Sequence, residues 1–84
     1  MKNLTGSDVH RASGREAQFV AEYRTGLTGV SYSGTITLVG CSPSRVGGFM
    51  TWTRKTIPPG RAVERAMRES IQFLHVERLL LNGG

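Results

Sequence analysis

Residues Val30 to Val39 constrain this chain more than any other stretch. Their even positions are Val30, Tyr32, Gly34, Ile36 and Leu38; their odd positions are Ser31, Ser33, Thr35, Thr37 and Val39. Successive side chains of a strand point to opposite faces, so this segment reads as a strand with one apolar and one hydroxyl-rich face. A sheet built on it has a core on one side and solvent or a partner on the other. Gly34 interrupts the apolar row and predicts either a bulge or a close approach by a helix.

Two further strands flank it. Ala17 to Arg24 puts Phe19, Ala21 and Tyr23 on one parity, with Gln18, Val20, Glu22 and Arg24 on the other. Thr25 to Gly29 reads as the turn between them. Val46 to about Arg54 carries Met50, Trp52 and Arg54 on one face, and Phe49, Thr51 and Thr53 on the other. With a large aromatic on each side, at least one of Phe49 and Trp52 should be partly exposed.

Ile57-Pro58-Pro59-Gly60 ends the sheet and opens a helix, because proline is tolerated where a first-turn N–H has no partner anyway. From Arg61 the spacing is helical. Val63, Ala66, Met67, Ser70, Ile71, Phe73 and Leu74 fall on one arc, and Glu64, Arg65, Arg68, Glu69, Gln72 and His75 on the other. The polar arc predicts i,i+4 ion pairs Glu64–Arg68 and Arg65–Glu69. After His75 the pattern rotates. Continuation of the helix, offering Val76, Leu79 and Leu80 to a second subunit, is the favoured expectation. A fourth strand or an irregular tail over Val76 to Leu81 is the alternative, and Asn82-Gly83-Gly84 ends the element in either case.

Residues 1–15 are polar and show no periodicity, which predicts a flexible arm ahead of a single domain over residues 16–84. The expected fold class is α+β: a three-stranded antiparallel sheet packed against one C-terminal amphipathic helix, with that arm. No apolar stretch follows Lys2, and no run approaches a membrane span, so the expectation is a cytoplasmic chain with no membrane contact. Cys41 is the only cysteine, which excludes an intramolecular disulfide and a cysteine-based zinc site in one copy.

Charge points toward a partner. The chain carries a net charge of +5, and no acidic residue stands between Glu22 and Glu64. That interval holds Arg24, Arg45, Arg54, Lys55 and Arg61, a field of one sign that attracts nucleic acid or an acidic protein surface. Together with Trp52, and with Arg65 and Arg68 on the helix, these are the expected partner-binding residues.

Chemistry is harder to find. The carboxylates of Glu64 and Glu69 have arginine partners at helical spacing, and His10 and His75 are far apart with no local ligand set. Cys41 has no sequence-local base and reads as a small buried side chain. No phosphate-binding glycine motif occurs. The expectation is therefore a non-enzymatic protein with no metal and no cofactor.

Arg45-Val-Gly-Gly-Phe-Met-Thr-Trp52 faintly resembles the RNP1 strand of RNA-recognition motifs. It departs from that strand at Val46 and Gly47, and the helix required between the first two strands is missing. Double-stranded-RNA-binding domains also end in three strands and a helix, but they need a first helix that this chain lacks. In overall design, three short strands followed by Pro59-Gly60-Arg61-Ala62-Val63-Glu64-Arg65-Ala66-Met67 resemble small phage-encoded anti-CRISPR proteins of the type I group, over roughly residues 17–75. That resemblance implies a non-enzymatic inhibitor that docks on a host effector complex, such as a CRISPR surveillance complex, and blocks its nucleic-acid or partner binding. Many members of that group are acidic, and this chain is basic, so mimicry of DNA does not carry over. The alternative is a small DNA- or RNA-binding module with an arginine-rich sheet face. A monomer, or a homodimer through the C-terminal helix, fits either reading.

Overall fold

The computed structural model describes residues 1–51 and 58–80. Four strands run in order: β1 (Lys2–His10), β2 (Arg15–Thr25), β3 (Gly29–Leu38) and β4 (Ser44–Thr51). They pair antiparallel with their sequence neighbours, giving a β1-β2-β3-β4 meander. Helix α1 (Pro59–Gln72) lies across β1, β2 and β3, and a four-residue helical turn, α2 (Val76–Leu79), follows it. The α+β class and the antiparallel sheet under one main helix agree with the sequence reading.

The strand number does not. The sheet has four strands, not three, because the segment expected as a flexible arm forms β1. The physical reason lies in β2. Phe19, Ala17 and Ala21 need cover, and β1 pairs with β2 over its whole length, from Lys2 opposite Tyr23 to His10 opposite Arg15. The inward positions of β1 are Leu4, Gly6, Asp8 and His10, so little of its stability comes from its own apolar side chains. Gly6 faces Phe19 so closely that a Cβ there would lie 2.5 Å from the ring's Cζ. The small residue makes room for the large one.

The core forms where the alternation of β2 and β3 meets the arc of α1. Phe19, Val30, Ile36, Leu38, Val63, Met67 and Ile71 are its largest fully buried side chains. Tyr32 is half-buried, and Val39 is exposed, as its odd position requires. The register of β3 runs through Gly34 without a bulge, from Ala21 on one side to Val46 on the other. Gly34 instead marks the close approach: a Cβ there would lie 2.8 Å from Met67 Cε and 2.5 Å from the Val20 carbonyl oxygen.

The expected long helix breaks. The N–H groups of Phe73 and Leu74 donate to the carbonyls of Ser70 and Ile71, three residues back. The last turn tightens here and the helix ends at Phe73, which was expected on the apolar arc and is instead 79% exposed. His75 is extended, and the chain resumes as α2 before Leu80 bridges antiparallel to Cys41. The break restores the phase that a continuous helix would lose. Val76, Leu79 and Leu80 pack against this chain's own core while Glu77 and Arg78 stay exposed. The continuation of the helix is thus replaced by a turn, a short helix and a bridge; Leu81 to Gly84 lie outside the described residues.

Helix α1 also finishes one edge of the sheet. Arg68 Nη1 donates to the Ser7 carbonyl at 2.6 Å, and Gln72 Nε2 donates to the Val9 carbonyl at 2.8 Å. The amide of Arg11 donates to Gln72 Oε1 at 3.1 Å, and that of Val9 to its neighbour's carboxylate, Asp8 Oδ1, at 2.8 Å. The second half of β1, an open edge, is therefore capped by side chains.

Candidate functional site

The side of the sheet away from α1 is uncovered by any described element. Its residues follow from the alternation: Asn3, Thr5, Ser7 and Val9 from β1; Glu16, Gln18, Val20, Glu22 and Arg24 from β2; Ser31, Ser33, Thr35, Thr37 and Val39 from β3; Arg45, Gly47, Phe49 and Thr51 from β4. A shallow hollow of about 500 Å³ sits at its centre, lined by Asn3, Thr5, Val20, Glu22, Ser33, Thr35 and Arg45. Val20 and Phe49 are 56% and 58% exposed and supply apolar area on a face otherwise made of hydroxyls, amides and charges.

Among the described residues the face is not the cationic surface that charge spacing along the chain predicts. Arg24 and Arg45 lie on it, but so do Glu16 and Glu22, and their formal charges cancel. The acid-free interval begins only after Glu22, so β2, which carries both glutamates, brings negative charge onto the face that also holds Arg45. Arg61 and Arg65 belong to α1, on the other side of the molecule. Arg65 pairs with Glu69 at 3.5 Å. Arg68 pairs with Glu64 at 3.3 Å and with Asp8 at 3.6 Å, and its guanidinium lies 5.7 Å from the centre of the Phe19 ring. Both i,i+4 pairs read from the helix spacing are present. Arg68 is thereby committed to holding α1 on β1. Trp52, Arg54 and Lys55 lie outside the described residues.

One place does collect cations. A hollow of about 580 Å³ at one end of the sheet is lined by Lys2, Tyr23, Arg24, Pro59, Gly60 and Arg61, with no carboxylate among its lining residues. Two of the expected partner-binding residues, Arg24 and Arg61, meet there.

His10, expected in the arm, is buried at 2% exposure. Its Nε2 lies 2.9 Å from the Leu74 carbonyl and its Nδ1 2.7 Å from Ser13 Oγ. A carbonyl only accepts, so Nε2 carries the proton and donates to Leu74. In the neutral ring Nδ1 then accepts from the serine hydroxyl. Both nitrogens are occupied by this clasp between the first turn and the end of α1. Cys41 is buried as a free thiol beside Leu80. His75 is exposed near Glu77, 3.7 Å away. Among the described residues no group of three or more His, Cys, Asp or Glu side chains is placed to hold a metal ion, and no helix is long and apolar enough to cross a membrane.

Sequence reasoning missed His10 and the carboxylates of the outer face. The only signal for His10 was its shared parity with Leu4. That for Glu16 and Glu22 was their shared parity with Val20. No protein-family model matches this chain, and no curated protein or solved structure is significantly similar to it.

Proposed function

We propose that this protein is a non-enzymatic binding protein that docks on a protein partner through the outer face of its sheet. The observation that carries this reading is the makeup of that face among the described residues: hydroxyl-rich, balanced in charge, with exposed Val20 lining a shallow hollow and exposed Phe49 elsewhere on the same face. Interfaces with proteins combine such apolar anchors with a polar surround. A surface built for nucleic acid carries a clear excess of positive charge. The resemblance to type I anti-CRISPR proteins gives the reading its specific form. The protein is an inhibitor of phage type, which sits on a host effector complex and blocks its nucleic-acid or partner binding.

The test is target-DNA binding by type I surveillance complexes in a gel shift, with and without an excess of this protein. Wild-type protein should abolish the shifted band. The Val20→Asp/Phe49→Asp variant should leave it intact, because it places two charges where apolar contact is needed. Unchanged target binding with the wild-type protein would remove the inhibitor form.

A second reading rests on the end hollow. Lys2, Arg24 and Arg61 around one hollow suit the phosphates of DNA or RNA. The same gel separates the two. If the protein alone retards duplex or single-stranded nucleic acid, with affinity falling steeply as salt rises, the end hollow is the site and the sheet face is not.

A further inference from the structure

The two edges of the sheet are finished differently. Residues along an antiparallel strand alternate between turning their backbone groups toward one side and toward the other. On β1 the carbonyls of Ser7 and Val9 reach α1, so odd positions face away from β2. Carried through the three registers, this alternation makes Arg45, Gly47, Phe49 and Thr51 the positions of β4 that face away from β3. Among the described residues nothing bonds their outward amides and carbonyls. An unprotected edge is a template for another strand, and proteins that do not use such edges block them. Here one edge is blocked by Arg68, Gln72 and Asp8, and no described residue blocks the other.

We infer that β4 pairs antiparallel with β4 of a second copy, joining two four-stranded sheets into one of eight strands. The sequence of the edge selects a second copy over an unrelated strand, because β4 is complementary to itself. With the two-fold axis through Gly48, the backbone groups of Gly47 meet those of the partner's Phe49, and those of Arg45 meet the partner's Thr51. On the outer face each large side chain then faces a small one. Arg45, the one charged residue of β4, faces a hydroxyl rather than another arginine, so no like charges oppose. On the inner face Val46 comes opposite the partner's Met50. Both are half-buried in the single copy, against the edge of the core, and the pairing extends that core across the junction. This inference does not depend on the proposed function.

Sedimentation of the intact protein over a wide concentration range should show a reversible monomer–dimer equilibrium. Thr51→Arg places an arginine opposite Arg45 at both ends of the junction and should weaken the dimer about tenfold. Adding Arg45→Glu to that variant turns both pairs attractive and should restore it. Both positions are exposed, so circular dichroism should show the fold unchanged in either variant. The amides of Gly47 and Phe49, unpaired in a single copy, should gain protection from hydrogen exchange as concentration rises. A protein that stays monomeric throughout overturns the inference. So does a dimer that ignores both charge changes, since it joins through another surface.

Discussion

Phe19→Ala should lower the unfolding free energy by about 3 to 5 kcal/mol, the usual cost of emptying a large aromatic site in a core. Phe19 is 1% exposed on β2, an interior strand of the sheet. Its ring fills the space that Gly6 leaves on β1, and the Arg68 guanidinium lies against it. Neither neighbour can close the gap, since glycine has no side chain to advance and Arg68 is tethered to Ser7, Asp8 and Glu64. A chain of 84 residues has a total stability of roughly 4 to 13 kcal/mol at typical values per residue. The variant therefore loses a large share of its margin. Urea unfolding followed by circular dichroism reads the effect as a lower midpoint. The control is Val20→Ala, one position along the same strand but on the outer face. It should move the midpoint little, and equal shifts in the two variants would contradict the assigned faces.

Gly34→Val should cost about 3 kcal/mol for a different reason, overpacking rather than loss of contact. The new Cβ would stand 2.5 Å from the Val20 carbonyl oxygen, 2.8 Å from Met67 Cε and 3.1 Å from Ala21 Cα. Met67 can swing aside, because its side chain is unbranched and flexible. The backbone of β2 cannot, without giving up its register with β3. Pairing Gly34→Val with Met67→Ala should therefore fail to restore stability, and the same urea midpoints decide this. Recovery in the double variant would mean that the helix alone set the spacing. Gly48→Ala on β4 is the lenient comparison, since its nearest atom is the end of the Tyr32 side chain at 3.2 Å.

How much was legible follows from where each element gets its stability. The alternation of β3 and the arc of α1 are written in their own residues, and their buried faces match the structure: Val30, Ile36 and Leu38 on one, Val63, Met67 and Ile71 on the other. Strand β1 is not written that way. Its inward row of Leu4, Gly6, Asp8 and His10 has no apolar rhythm, and it is a strand because β2 offers an edge and α1 clamps it. His10 is buried by a carbonyl that lies 64 residues further along the chain, a contact no local pattern reveals. The outer face was legible as a row of hydroxyls on β3. Its charge balance was not, since Glu16 and Glu22 join it only through the pairing of β2 with β3. Among the described residues, charge segregated along the chain became charge mixed in space.

The meander also sets an order of assembly. Each strand meets the one before it across a short turn, so the sheet can zip up from near neighbours, and closing such short loops is fast. The clasp from His10 to Leu74 can close only once the distant end of α1 has docked. Until then Ile36, Leu38 and Phe19 have no roof, and a half-assembled chain is sticky on that side. Native-state proteolysis should accordingly find the junction between α1 and α2 opening before any hairpin does. First cuts within the β2–β3 hairpin would reverse that order.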